Sequence, residues 1–235
     1  MKLMIATPAY NGKVDIPYAL SYANTCVLLA ANNIQITPLI VTSGSLLVAE
    51  RNKIIQTFYE SDCTHLLCID SDLGWPAEAV IAMLKQEKDI VAGVYPARTN
   101  MSTENEYLCR PYLNPDNTVI TENHLIKMEY IPAGFMLISK NCIQKLRDKF
   151  PERYYEPKND AIGNPSKGFC FFNTEIYDGE FWGEDFVFCR LLKEAGIDIW
   201  VDPLIQFDHA GRLGMLLEIL STDKTKKIPP TLNVF

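Results

Sequence analysis

Long hydrophobic runs are missing from this sequence. None approaches the roughly 18 to 20 apolar residues that a helix needs to cross a bilayer. A secretion signal is missing too, because the apolar part of MKLMIATPAYNG is short and soon meets Pro8 and Gly12. We therefore expect a soluble, cytoplasmic protein without a transmembrane segment.

Positive charge is also in short supply. The chain has 22 Lys and Arg against 29 Asp and Glu, which gives a formal net charge of −7. A general binder of nucleic-acid phosphates needs a basic face, so we expect no nucleic-acid partner. The seven cysteines form no CxxC pair and lie scattered through apolar segments, as small buried residues do in a reducing compartment.

Apolar residues are plentiful enough for one core. The 235 residues are 48% hydrophobic, which suffices for a single well-buried domain. Runs typical of strands alternate with helical apolar spacing from the N-terminus, and this order predicts an α/β fold with a mainly parallel sheet flanked by helices. Strands are predicted at 3–6, 35–42, 65–69 and 90–94, and helices at 16–31, from a cap at Ser45 to about residue 59, and after Pro76.

The pattern changes after residue 98. Short apolar segments between polar runs indicate hairpins over 99–130, and PERYYEPKNDAIGNPSKG at 151–168 indicates a long loop, either a lid over a ligand or a solvated surface. We expect one domain with halves at 1–98 and 99–212, followed by a helix and tail over 213–235. The other predicted elements are strands at 131–139 and 197–201 and helices at 141–150, 186–195 and 212–221.

Two aspartates end the third predicted strand, in LLCIDSDLGW at 66–75. Alternate strand residues share a face about 6 to 7 Å apart, so Asp70 and Asp72 point the same way if the strand continues, or converge if it bends. They lie at the edge where open parallel sheets bind ligands. Two carboxylates there repel each other unless a cation lies between them, and Mg²⁺ or Mn²⁺ suits carboxylate oxygens. The alternative is a turn, because Asp-Ser-Asp is also good turn chemistry.

Arg51 falls within the apolar stripe of its predicted helix. A guanidinium on a buried face needs an anionic or acceptor partner. A structural carboxylate, one of the two aspartates, and a bound nucleotide are the alternatives.

Two more features carry candidate chemistry. Glu184 and Asp185 open a predicted helix, where acids complement the helix dipole or where one of them acts as a general base beside Trp182. His209 follows a predicted strand at 205–207, and it is either a structural residue or the completion of a carboxylate metal site.

These features occur in one order along the chain. Together they resemble a GT-A-type glycosyltransferase, and they are most similar to the small, single-domain, family 2-like kind found in viruses, phages and bacteria. The resemblance covers about residues 1–212 and implies a Rossmann-like GT-A fold with a small acceptor lobe of hairpins and loops. The segments that carry it are TPAYNG at 7–12, AERN at 49–52, LLCIDSDLGW, IVAGVYPAR at 90–98, PAGFMLI at 132–138, FWGEDFVFCRLLKEAGI at 181–197 and the strand before His209.

The resemblance implies a nucleotide-sugar donor held by the first half of the chain. Asp72 and His209 would bind Mn²⁺ or Mg²⁺, and Asp70 would lie near the ribose or a metal-bound water, as a further candidate ligand. The metal would neutralise the leaving diphosphate. The remaining candidate donor-binding residues are Thr7, Pro8, Tyr10, Asn11, Arg51 and Ser71.

The acceptor is expected to be a glycan or glycoconjugate hydroxyl bound by the second half. In an inverting reaction Asp185 would be the base that deprotonates this hydroxyl, and Glu184 would bind neighbouring acceptor hydroxyls. The candidate acceptor-binding residues are Gly134, Phe135, Trp182 and Gly183.

One departure from the family pattern leaves the nucleotide open. Many inverting members carry an acid pair and Gly-Ser after the second strand, whereas this chain reads VTSGS at 41–45, so UDP-, GDP- and dTDP-linked donors all stay candidates.

Two other functions also stay open. A sugar-nucleotidyltransferase would need a Gly-rich basic loop after the first strand, where TPAYNGKV has one glycine and one lysine. A non-catalytic nucleotide- or carbohydrate-binding module of the same fold would not need Asp72, Asp185 and His209.

Overall fold

A mixed sheet flanked by helices organises the computed structural model, which describes residues 1–42, 46–97, 106–156, 167–209 and 212–216. The helices are α1 Ile16–Ala31, α2 Leu47–Glu60, α3 Ala77–Leu84, α4 Lys140–Lys149 and α5 Glu184–Glu194, with a 3₁₀ helix at Pro151–Arg153. The strands are β1 Lys2–Ala9, β2 Gln35–Thr42, β3 His65–Ile69, β4 Leu73–Gly74, β5 Ile90–Ala92, β6 Arg110–Pro111, β7 Thr121–Glu122, β8 Leu125–Tyr130, β9 Phe135–Ser139, β10 Tyr154–Tyr155, β11 Gly168–Phe169, β12 Glu175–Tyr177, β13 Glu180–Trp182, β14 Ile199–Val201, β15 Gln206–His209 and β16 Arg212–Met215.

The main sheet has the strand order β2-β1-β3-β9-β5-β14-β8-β6, and β7 pairs with β8. Strand β1 pairs in parallel with β2 and β3, and β14 pairs in parallel with β5. Strand β9 lies antiparallel between β3 and β5, and β8 is antiparallel to β14. The predicted α/β class, a central sheet with flanking helices, is therefore confirmed. The sheet is mixed, with three parallel and five antiparallel pairings among the described strands.

Alternation along the strands builds a core on each face of this sheet. In β1, Leu3 and Ile5 belong to one buried cluster, whereas Met4 and Ala6 belong to the other. This is the two-residue period of a strand that is covered on both faces.

Within the described residues, no helix is both long enough and apolar enough to span a membrane.

The predicted helix over 212–221 is wrong over residues 212–215, which form strand β16, whereas residue 216 is helical. Strand β16 pairs antiparallel with β15, and β15 pairs on its other side with β4. The free edge of β15 thus overrides the local apolar spacing that predicted a helix. Residues 217–221, the predicted cap at Ser45, residues 99–105 of the predicted hairpin region and residues 157–166 of the predicted loop lie outside the described residues.

Asn52 ties α2 to the chain that leads into the second half of the site. Its Oδ1 accepts from the backbone N–H groups of Phe171 and Phe172, both at 2.9 Å. Its Nδ2 donates to the Phe172 carbonyl at 2.7 Å. Asn52 is 4% exposed, so water cannot replace these bonds.

We expect Asn52→Ala to lower the free energy of unfolding by about 2 to 4 kcal/mol, because two buried N–H groups lose their acceptor. Urea unfolding measures this as a lower midpoint at an unchanged slope. Asn24→Ala, at an exposed position of α1, is the matched control and should change stability by less than about 0.5 kcal/mol. Equal effects of the two substitutions would contradict this assignment.

Candidate active site

The two aspartates lie where β3 ends and the chain turns into β4. The Asp70 backbone N–H donates to the Gly134 carbonyl at 2.9 Å, which extends the β3–β9 pairing by one bond. Strand β4 then pairs with β15, with His209 opposite Leu73. This pairing brings His209 Nε2 to 3.5 Å from Asp72 Oδ2.

Arg51 reaches Asp70 from helix α2. The Arg51 side chain is 4% exposed, and its Nη2 donates to Asp70 Oδ1 at 3.2 Å. The Tyr95 hydroxyl donates to Asp70 Oδ2, also at 3.2 Å. Both carboxylate oxygens of Asp70 therefore have a protein donor, which fixes the orientation of the carboxylate.

The same guanidinium faces the two acids at the start of α5. Arg51 Nε lies 3.7 Å from Asp185 Oδ1 and 3.9 Å from Glu184 Oε1. Neither Arg51 Nε nor Asp185 Oδ1 is accessible to solvent or has a hydrogen-bond partner among the described residues. Arg51 thus links the Asp70 carboxylate to the start of α5 by charge rather than by a closed set of hydrogen bonds.

Burial raises the pKa of Asp185 to about 6. The Arg51 guanidinium opposes this increase, and the negative charges of Glu184 and Asp70 add to it. For Arg51, burial by itself lowers the pKa, but Asp70 and Asp185 outweigh burial and raise it above its ordinary value. At neutral pH the cluster therefore holds a permanent cation and an aspartate that is more basic than usual.

His209 is held with one ring nitrogen turned toward Asp72. Its Nδ1 lies 2.6 Å from the Pro96 carbonyl, which can only accept, so Nδ1 carries the proton. In the neutral ring the lone pair is then on Nε2, the atom that faces Asp72. The ring also packs edge-on against Tyr95, with centroids 4.9 Å apart.

This pair offers an oxygen and a nitrogen to a metal ion. A carboxylate and an imidazole whose other nitrogen is bound to a carbonyl are a common combination of metal ligands. Within the described residues, no group of three or more His, Cys, Asp and Glu side chains is arranged to hold a metal. The Asp72 carboxylate and the His209 imidazole therefore fit a cation only if a ligand such as a phosphate supplies further oxygens.

A cavity of about 260 Å³ opens beside Asp185. Four of the candidate site residues, Trp182, Gly183, Glu184 and Asp185, line it. Tyr130 forms an aromatic cluster with Trp182 and Phe186, at centroid distances of 5.1 and 5.6 Å. The other lining residues are Leu108, Arg110, Pro132, Glu180 and Phe181.

Two residues predicted for the acceptor pocket lie elsewhere. Phe135 is fully buried in the core and packs against Trp75 and Phe207, with ring centroids 5.7 and 5.0 Å apart. Gly134 lies against the aspartate instead. A Cβ at this position would be 2.1 Å from Tyr95 Oη and 2.3 Å from Asp70 Oδ2, so a glycine lets these two groups meet.

The predicted donor-binding residues near the end of β1 differ in exposure. Thr7 is fully buried, and its Oγ1 shares a 2.6 Å hydrogen bond with the Tyr18 hydroxyl, so it supports the strand end from inside. Pro8 is half-buried, Tyr10 is 70% exposed, and Asn11 accepts from the Lys13 N–H at 3.0 Å. These residues lie near the sheet edge at which β3 also ends, because the two strands are parallel. At that edge, the Ser71 carbonyl accepts from the Asp15 N–H at 2.9 Å.

Sequence reasoning assigned no role to Tyr95, Arg110, Tyr130 or Phe181. A signal existed for Tyr95, because it follows a predicted parallel strand and strand ends converge at one edge of a sheet. Phe181 begins the FWGED segment, which the sequence analysis singled out for its other residues. No local pattern marks Arg110 or Tyr130, because they become neighbours only through the fold.

Comparisons with known proteins give a likeness of fold. No family model matches the chain, and no curated protein matches it in sequence. Among solved structures, A197 from STIV is similar at a TM-score of 0.50 and 16% identity, covering 92% of this chain and 94% of A197. HddC from Yersinia pseudotuberculosis (TM-score 0.33, 12% identity, 72% and 88% coverage) and TarS 1–349 from S. aureus (0.34, 12%, 69% and 52%) match too distantly to support an inference. The chain shares its overall fold with A197 over nearly the full length of both.

Proposed function

We propose that the protein is a glycosyltransferase that moves a sugar from a nucleotide-sugar donor to a hydroxyl acceptor. One observation carries the proposal. Asp185, with a pKa of about 6, lines a cavity and is joined through Arg51 to Asp70 at the end of β3. A base next to an open cavity suits an acceptor hydroxyl, and aspartates at the edge where open α/β sheets bind ligands suit a donor.

Asp185 is the proposed general base. A carboxylate with a pKa near 6 is ionised at neutral pH and accepts a proton more readily than an ordinary aspartate. It would take the proton of the acceptor hydroxyl as that oxygen attacks the sugar carbon, with inversion. Glu184 lines the same cavity and would accept hydrogen bonds from neighbouring acceptor hydroxyls.

Asp72 and His209 are the proposed holders of Mn²⁺ or Mg²⁺. When bound, the cation would neutralise negative charge on the leaving diphosphate. Asp70 already accepts hydrogen bonds from Arg51 and Tyr95. Its proposed role is therefore to orient the nucleotide sugar at the sheet edge, and Asp72 and His209 are the primary metal ligands. The nucleotide base stays open among uracil, guanine and thymine.

The metal and donor site can be tested by thermal melting with UDP, GDP and dTDP, each with and without Mn²⁺. We expect one nucleotide to raise the melting temperature in the presence of the metal, because a ligand that binds only the folded state stabilises it. Asp72→Ala and His209→Ala should each abolish the shift. Asp148→Asn, an exposed acid on α4, should leave it intact. Absence of a shift with every nucleotide at millimolar concentration would contradict a donor site.

The base assignment predicts the pH profile of turnover. Below about pH 6, kcat/KM should fall tenfold per unit as Asp185 becomes protonated, and above that pH it should be level. Asp185→Asn should lose about 100- to 10,000-fold in kcat while keeping the nucleotide-dependent melting shift. Turnover near the wild-type rate in this variant would rule out Asp185 as the base.

The raised pKa of Asp185 also predicts that the free energy of unfolding falls as the pH rises. The folded-state pKa of Asp185, about 6, exceeds the unfolded value of about 3.9, so its stabilising protonated form is fully present below about pH 4 and lost as pH rises through 6. Asparagine does not titrate, so Asp185→Asn avoids this loss. The free energy of unfolding of the variant minus that of wild type should therefore increase by up to about 3 kcal/mol from pH 4 to pH 8. Urea unfolding at both pH values measures the gain, and Asp148→Asn should show none. A difference from wild type that does not change with pH would contradict the raised pKa.

A further inference from the structure

The cavity beside Asp185 changes character from its inner end to its rim. At the inner end the side chains of Glu184 and Asp185 are 21% and 24% exposed and carry the carboxylates. At the rim Phe181 and Leu108 line the cavity and are 75% and 39% exposed. The charged residues Glu180 and Arg110 also line the cavity, so its open side is apolar at Phe181 and Leu108 only. An enclosed end with carboxylates and an open side with these two apolar side chains match a ligand that is polar at one end and apolar at the other.

The apolar rim continues along the hairpin formed by β12 and β13. Ile176 lies directly opposite Phe181 in the antiparallel register and is 80% exposed. Paired residues of a hairpin share a face, so the two apolar side chains form one exposed surface. A solvent-facing strand surface ordinarily carries polar residues, and an apolar pair that adjoins a cavity indicates a binding surface.

The opposite face of the hairpin is anchored, so this apolar surface is a fixed part of the fold. Glu175 pairs with Arg190 of α5, and with Arg153 at 2.9 Å. Tyr177 packs edge-on against Trp182 with centroids 5.3 Å apart, and the Arg190 guanidinium lies 4.6 Å from the Tyr177 ring centroid. Helix α5 therefore holds both the proposed base and the hairpin that forms the rim.

We propose that the acceptor is an amphipathic glycoside, whose sugar lies against Glu184 and Asp185 and whose apolar aglycone lies on Phe181 and Ile176. This inference rests on the glycosyltransferase function proposed above and names the class of its acceptor. The sugar hydroxyls find carboxylate acceptors at the inner end, and the aglycone covers apolar surface that is otherwise exposed to water.

The test measures binding of methyl, hexyl and octyl β-D-glucosides, and of the matching mannosides, below their micelle concentrations. Tryptophan fluorescence reports on the site, because Trp182 lines the cavity while Trp75 and Trp200 are 5% and 8% exposed. We expect octyl glycosides to bind on the order of tenfold more tightly than hexyl glycosides in at least one series, since each buried methylene adds about 0.8 kcal/mol. Phe181→Ser should reduce this ratio to less than about twofold, and Ile176→Ser should reduce it in part.

The control is Ile40→Ser, which removes a 55% exposed apolar side chain from β2. It should leave the octyl-to-hexyl ratio unchanged, and an equal loss in this variant would mean non-specific binding and overturn the proposal. Phe181 is exposed, so its replacement should leave the unliganded melting temperature unchanged.

Melting with nucleotide and Mn²⁺ separates this inference from the function on which it rests. A nucleotide shift without any chain-length dependence in either glycoside series would overturn the amphipathic acceptor and leave the transferase standing. Chain-length dependence without a nucleotide shift would show a site for amphipathic ligands and overturn its role as an acceptor site. The expected result is that the wild-type protein shows both the nucleotide shift and the chain-length dependence. Phe181→Ser should keep the nucleotide shift and lose the chain-length dependence.

Discussion

The candidate site depends on one buried cation. Arg51 is 4% exposed and lies among carboxylates from two other elements, Asp70 after β3 and the adjacent acids Glu184 and Asp185 at the start of α5. A buried guanidinium without such partners would cost several kcal/mol, so the charge fixes how α2, β3 and α5 meet. The three carboxylates also leave an excess of negative charge around Arg51. Arg51 favours ionisation of Asp185, but burial disfavours it more strongly, and the negative charges of Glu184 and Asp70 add to the effect of burial.

The sheet imposes the second constraint. Because β9 lies antiparallel between β3 and β5, Gly134 just before β9 meets the residues that follow β3. The missing side chain of Gly134 allows Asp70 and Tyr95 to come within hydrogen-bond distance. Strand β15 returns along β4 and carries His209 to Asp72. Groups proposed for donor and acceptor chemistry therefore lie in one region, although they come from distant parts of the chain.

Local patterns predicted much of the first half. The expected elements at 16–31, 35–42 and 65–69 coincide with α1, β2 and β3, because apolar spacing and β-branched composition are properties of adjacent residues. Prediction was weaker where pairing partners decide the outcome. Residues 212–215 became β16 because β15 had a free edge, and Phe135 entered the core because β9 is covered on both faces.

The residue types and their order were enough to select Asp70, Asp72, Asp185 and His209 as candidates and to indicate the α/β class. Their positions at strand ends and at a helix start made them candidates, and the resemblance to GT-A-type glycosyltransferases supplied the roles expected of them. The partners of Arg51, the proton on His209 Nδ1, the raised pKa of Asp185 and the cavity with its apolar rim came only with the tertiary structure. Each depends on burial or on contacts between distant segments, and both are set by strand order and helix packing rather than by neighbouring residues.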